Sequence, residues 1–307
     1  MRISHMLAAL LLLPLAAAAA IDKGTWALDT ADEPGRVQFS LQGSSGGDHF
    51  NTSSPWLLSD LHGLDWAAAA KHDVHFTIQR DAGSIDCDGF VQDKRGSGLF
   101  SFKPNPQYAA EMAKLGFPLQ DKSLLSATLF DVSYDFARAM KGAAVRGLDA
   151  DKLFAFRIHG VTLEFVRGLR AAGVEAADAD KLIAFRIHGV TPEFIKDLRA
   201  AGISTTDEDK LVAFRIHGVS PDFIRGLRSA GLDTADPDEL IAFRIHGVTP
   251  EFAGEISHLG FPHTPADKLV ALRIHQVTPE YIEGLRAKGL QNLTLDQLIS
   301  MRIHGID

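Results

Sequence analysis

The sequence predicts an α+β protein: an N-terminal antiparallel β-module followed by an α-solenoid of about seven helical hairpins. Three observations carry this. Arg-Ile-His-Gly begins at Arg157, Arg186, Arg215, Arg244 and Arg302, with a variant ending in Gln276 at Arg273, and every step is 29 residues. A fixed period with matching flanks marks a repeat array. Inside each period, apolar residues recur at helical spacing between cap and stop signals. Upstream of the repeats the pattern changes to strict alternation, the mark of half-buried strands.

Residues 1–20 read as an export signal. Arg2 supplies the positive end, Met6 to Leu15 the apolar stretch and Ala16 to Ala20 the small residues a signal peptidase accepts. Cleavage near Ala20 leaves no run long enough to span a bilayer, which takes about 20 apolar residues. The expected location is the bacterial periplasm or the exterior. The whole chain is 46% hydrophobic and 23% charged, an ordinary globular balance, and its net charge of −8 argues against nucleic acid as a partner. The single cysteine, Cys87, excludes an intrachain disulfide; its place in an alternating segment predicts a buried small hydrophobe.

Residues 21–103 form the β-rich module. Val37, Phe39 and Leu41 alternate with polar residues, as do Val74, Phe76 and Ile78, and Ile85 with Cys87. The last strand buries either Leu99 with Ser101 or Phe100 with Phe102. Asp81-Ala82-Gly83 and Lys94-Arg95-Gly96 supply turns, giving a meander from about His72 to Lys103. The polar, glycine-rich stretch 43–54 reads as a loop. Ser54-Pro55-Trp56 opens a short strand or helix, and Asp65 to Ala70 a short helix. His72, Asp73 and His75 raise the question of a metal site, but strand alternation puts His72 on the face opposite both neighbours.

Residues 104–307 form the array, and the unit 190–218 shows its grammar. Thr191 caps the first helix, Pro192 and Glu193 follow in its first turn, and Val190 with Ile195 forms a hydrophobic staple. Phe194, Ile195, Leu198 and Ala201 make an apolar stripe, and Gly202 stops the helix. Asp207 caps the second helix, which carries Leu211, Val212, Phe214 and Ile216 and closes at His217-Gly218. Two degenerate copies precede the regular ones, with Leu129-Phe130-Asp131 where Ile-His-Gly would stand. One hairpin buries too little apolar surface to offset its backbone entropy, so the copies must share cores.

Two registers of charge follow. Arg157, Arg186, Arg215, Arg244, Arg273 and Arg302, with His159, His188, His217, His246, His275 and His304, form a possible interaction stripe. Helices packed 8–10 Å apart cannot place successive histidines around one zinc ion, whose ligands lie about 2.0–2.1 Å away. Capping of the helix end by the histidine is the simpler reading, and neither metal nor cofactor is expected. Arg170, Arg199, Arg228 and Arg286 form a second set, suited to acidic partners if it lines a groove and otherwise solvated. No His-Glu-x-x-His, Gly-x-Ser-x-Gly, phosphate loop or paired-cysteine motif occurs.

The run Arg186-Ile187-His188-Gly189-Val190-Thr191-Pro192-Glu193-Phe194 and its copies resemble repeats of exported bacterial proteins of unknown function. They are also similar to repeats on the extracytoplasmic tails of membrane metallopeptidase receptors of the β-lactam-sensing type. Gly96 to Pro106 looks like the lead-in to such repeats. The peptidase motif is absent here, so the resemblance implies an envelope-associated binding or sensing role without proteolysis.

The expected function is therefore non-enzymatic: an exported scaffold or sensing module that binds a protein partner of the cell envelope through its repeat surface. Leu298, Ile299, Met301 and Ile303 in the last unit are expected to leave an apolar contact for self-association. The alternatives are a small-ligand or envelope-polymer binder, with a pocket between β-module and repeats lined by Trp56 or Trp66, and a hydrolase with an unrecognised site.

Overall fold

The computed structural model describes residues 23–45, 48–175 and 178–306; the export signal lies outside them. Among these residues are six strands followed by fourteen α-helices. The chain forms two compact units, the first running to Ala137 and the second from Arg138.

The strands β1 (Lys23–Thr30), β2 (Arg36–Ser45), β3 (Asp48–Leu57), β4 (His72–Arg80), β5 (Gly83–Gln92) and β6 (Arg95–Pro104) build one antiparallel sheet in the order β3-β2-β1-β6-β5-β4. Two meanders are thus joined by pairing of the first strand with the last. In a flat sheet β2 and β4 would stand about 19 Å apart. Yet the rings of Phe39 on β2 and Phe76 on β4 lie 6.1 Å apart, and Trp26 on β1 meets Phe76 edge-on at 5.1 Å. The sheet therefore coils around its own core.

That core depends on glycine. A Cβ on Gly89 would come 2.6 Å from the Trp26 indole, and one on Gly96 would come 2.9 Å from it. Gly89 and Gly96 thus leave a trough that the largest side chain fills. The indole Nε1 donates to the Asp88 carbonyl at 3.2 Å. Cys87 is fully buried, which pushes its thiol pKa far up, as expected of a packing residue.

The His72 to Lys103 meander and its first turn stand as read, while the second turn falls at Asp93-Lys94, one residue earlier than read, and Arg95 and Gly96 already belong to β6. Phe100 and Phe102 face inward, while Leu99 is 67% exposed. Three elements differ. β1 is an additional strand. The stretch 43–54, read as a loop, belongs to β2 up to Ser45 and to β3 from Asp48, which pair antiparallel; β3 is half-buried or exposed along its described length, so it gives no alternation signal. The Asp65 to Ala70 helix does not form: after a single 3₁₀ turn at Leu58–Asp60 the chain is irregular to Lys71. The His72 ring explains this, since its two nitrogens lie 2.9 and 3.1 Å from the carbonyls of Ala70 and Asp65.

The first unit continues with α1 (Pro106–Leu115) and α2 (Lys122–Leu129), the latter against β5 and β6. The buried Tyr108 donates its hydroxyl to the Val132 carbonyl at 2.5 Å. Arg80 pairs with Asp60 at 2.9 Å and lies 3.4 Å from Asp131. Asp131 stands where later copies carry glycine and takes the same left-handed conformation, φ 51°. The α3 helix (Tyr134–Gly142) opens with its first N–H donating to Asp81 at 2.9 Å.

In the repeats, first helices α5 (Leu163–Ala171), α7 (Pro192–Ala200), α9 (Pro221–Ser229), α11 (Pro250–His258) and α13 (Pro279–Ala287) stack in sequence. Second helices α4 (Ala150–His159), α6 (Ala179–His188), α8 (Glu208–His217), α10 (Pro237–His246), α12 (Ala266–Ile274) and α14 (Leu295–Ile303) stack likewise. Each copy therefore packs like on like against its neighbour, the shared core the hairpins require. Phe156, Phe185, Phe214 and Phe243 fill the second-helix row, at most 1% exposed. The caps follow the sequence: Thr191 accepts from the Phe194 N–H, and the Asp207 side chain from the N–H groups of Asp209 and Lys210.

Candidate functional site

The Arg-Ile-His-Gly copies end successive second helices, so their side chains form rows across the array. Their arginines are used repeat to repeat. Arg186 donates through Nε to the His159 carbonyl at 3.2 Å, Arg215 to that of His188 at 3.2 Å and Arg244 to that of His217 at 3.1 Å. Each thus supplies a donor to the helix end one copy back, where free carbonyls carry partial negative charge. Each guanidinium also stacks on an aromatic ring of its own hairpin. The Cζ-to-centroid distances are 5.0 Å for Arg186 over Phe165, 4.8 Å for Arg215 over Phe194 and 4.8 Å for Arg244 over Phe223. Arg273 over Phe252 at 4.9 Å and Arg302 over Tyr281 at 4.6 Å continue the row, and Arg157 opens it, half-buried.

Glycine completes the joint. Gly160, Gly189 and Gly218 have φ of 70–72°, and a Cβ on any of them would stand 2.8–2.9 Å from the next arginine's Nη2. Both the left-handed turn and the close approach exclude a side chain. The glycine N–H caps the helix on the phenylalanine carbonyl four residues back, as with Gly189 on Phe185. The histidine contributes its carbonyl rather than its ring. His159, His188, His217 and His246 project into solvent, and His275 is half-buried. Among the described residues only the His304 ring reaches a helix carbonyl, that of Ser300 at 2.7 Å. The cap thus comes from glycine and from the neighbouring copy's arginine.

The second arginine set does the same for the first helices. Arg199 donates to the Ala172 carbonyl at 2.9 Å, and Arg170, Arg228 and Arg286 to those of Ala143, Ala201 and Leu259. It is a set of inter-repeat joints. At the opposite ends of the second helices, Lys152–Asp180, Lys181–Asp209, Lys210–Asp238 and Lys268–Asp296 form a ladder of ion pairs between successive copies.

Beside these structural rows runs one that is left largely to solvent. Ile158, Ile187, Ile216, Ile245, Ile274 and Ile303 are each 51–57% exposed. Ile216, read with Leu211, Val212 and Phe214 as an apolar residue of the second helix, faces outward, and the reason is geometric. At 100° per residue it lies about 140° around the helix from Leu211, whereas Phe214 lies about 60° away. Helical angle, rather than hydrophobicity, was the signal that separates them. Val212 and its counterparts, such as Ile183 and Ile241, are half-buried beside the row.

The suggested C-terminal contact divides similarly. Leu298 is 1% exposed and belongs to the core of the α12–α14 joint, while Ile299 and Met301 are half-buried. Ile303 alone of the four is well exposed, as the last member of the isoleucine row. His72, Asp73 and His75 do not converge: His72 turns to the two loop carbonyls, and His75 lies 2.8 Å from Asp88 on the adjacent strand.

A cleft of about 450 Å³ lies within the first unit, between β3 and α2. Phe50, Leu125, Leu129 and Phe130 provide its apolar wall and Lys122 and Ser126 polar groups; Trp56 and Trp66 do not line it. No helix of the described residues is long and apolar enough to cross a membrane. Comparison with protein-family profiles, curated proteins and solved structures gives no match.

Proposed function

We propose that this chain is an exported, non-enzymatic docking module of the bacterial cell envelope, and that the second-helix face of its repeat array receives a protein partner. The observation that carries the reading is the row of half-exposed isoleucines, one per copy. Large aliphatic side chains left more than half in water at a fixed period give the surface a row of apolar groups, of the kind found at protein interfaces. The export signal and the likeness of the repeats to receptor tails support the location.

The test is a comparative capture from envelope extract with the wild-type chain and the triple variant Ile187→Ser/Ile216→Ser/Ile245→Ser. Because the three residues are exposed, the variant should melt within a few degrees of wild type. Specific partners held by wild type should be lost. Identical capture by both proteins would refute the reading.

A second reading rests on the β3–α2 cleft, whose volume falls within the about 300–1,000 Å³ of small-ligand sites. Its apolar wall and lysine fit an amphiphile with an anionic head. Titration with a long-chain carboxylate, followed by chemical shifts of Phe50 and Leu129, would decide it.

A further inference from the structure

We infer that the partner segment is an acidic, aliphatic stretch in polyproline II conformation, laid along the copies from Arg186 to Arg273 with one carboxylate and one aliphatic side chain per copy. This rests on the docking reading above and gives its partner a chemistry.

Charge is the first argument. Among the described residues Arg186, Arg215 and Arg244 make one hydrogen bond each, through Nε to a histidine carbonyl. No carboxylate pairs with them or with Arg273, and the first-turn acids Glu164, Glu193 and Glu251 form no ion pair with the row. The terminal nitrogens thus remain as donors on guanidinium groups already fixed by a carbonyl on one side and a ring beneath. A planar fork held in this way suits a carboxylate, and the entropy of ordering it is already met by the fold.

Spacing is the second. Equivalent positions on packed helices stand about 8–10 Å apart. A polyproline II chain repeats the same face every three residues, about 9.3 Å, within that range. An extended strand repeats its face about every 6.8 Å, and a helix at seven residues about every 10.5 Å. Both fall outside that range. Each isoleucine directly follows its arginine, so a triplet with one acid and one aliphatic residue meets both rows at every step.

The experiment is fluorescence anisotropy of the full chain with a labelled (Glu-Ile-Pro)5 peptide. Controls are (Lys-Ile-Pro)5 and the period-four peptide (Glu-Ile-Pro-Ser)4. The acidic triplet peptide should bind at least tenfold more tightly than either control and weaken as NaCl rises from 50 to 500 mM. The triple isoleucine-to-serine variant should lose about tenfold without a change in thermal unfolding. Equal binding of the lysine or period-four peptide, or an unaffected triple variant, overturns the inference. If that variant still loses its captured envelope partners while no peptide discriminates, the docking reading stands and only the acidic triplet falls.

Discussion

Within each Arg-Ile-His-Gly copy, the arginine closes the previous helix, the isoleucine faces solvent, the histidine lends its carbonyl and the glycine makes room. The glycine position gives a paired prediction. Gly189→Ala forces a Cβ into a left-handed turn at φ 72° and against Arg215, and should cost about 1–2 kcal/mol or more in urea denaturation. Gln276 occupies the equivalent position at φ 58°, so Gln276→Gly should stabilise the chain by up to about 1 kcal/mol. His72 makes a pH prediction. With both ring nitrogens against carbonyl oxygens, first Ala70 and then Asp65, the imidazolium is favoured and its pKa raised above the usual value. A raised folded-state pKa gives stability that is full below about pH 6.5 and lost as pH climbs through the folded value. The melting temperature of wild type should therefore exceed that of His72→Ala by more at pH 5.5 than at pH 8.5. A constant gap would mean that the ring acts by packing alone.

At the scale of elements, what could be read from sequence followed from how sharply each segment was divided between inside and outside. The regular hairpins have caps, stops and stripes that agree, and β4, β5 and β6 each keep one buried face. β3 keeps none, and the alanine run after Asp65 loses its helix to a histidine that takes two of its carbonyls; neither fact is local to the segment. The arginine joints escaped for the same reason, since donor and acceptor lie 27 residues apart and meet only once copies stack. The candidate site was half legible: the register of Arg and His was visible, but the outward isoleucine needed the angular position of each residue on a short helix. Stacking also explains a gap in the lysine–aspartate ladder. Second helices carry lysine at 152, 181, 210 and 268, but α10 carries Glu239, which accepts from Thr234 at 2.5 Å. By the ladder's spacing its counterpart on α12 is Asp267, so the step brings acid toward acid. Glu239→Lys should add a few tenths to about 1 kcal/mol, the range for partly exposed pairs, and the gain should shrink in 1 M salt.

For the whole molecule, an array whose copies meet only their neighbours makes the cost of a core change depend on position. Phe214 sits in α8, which packs on both α6 and α10, whereas Leu298 sits in α14, which packs on α12. Each is at most 1% exposed, so truncation to alanine should cost about 3–5 kcal/mol for the phenylalanine and about 2–5 for the leucine. The spread of the damage should differ more than its size. In a nearest-neighbour array, Phe214→Ala weakens two joints, and hydrogen exchange should accelerate through α6, α8 and α10 together. Leu298→Ala should accelerate exchange in α12 and α14 and leave α4 to α8 near wild type. Ile216→Ala, two residues from Phe214 but facing solvent, should change stability by less than about 0.5 kcal/mol and leave every protection factor in place. If Ile216→Ala instead loosens α8, the isoleucine row belongs to the core. The surface that the proposed partner needs would then not exist.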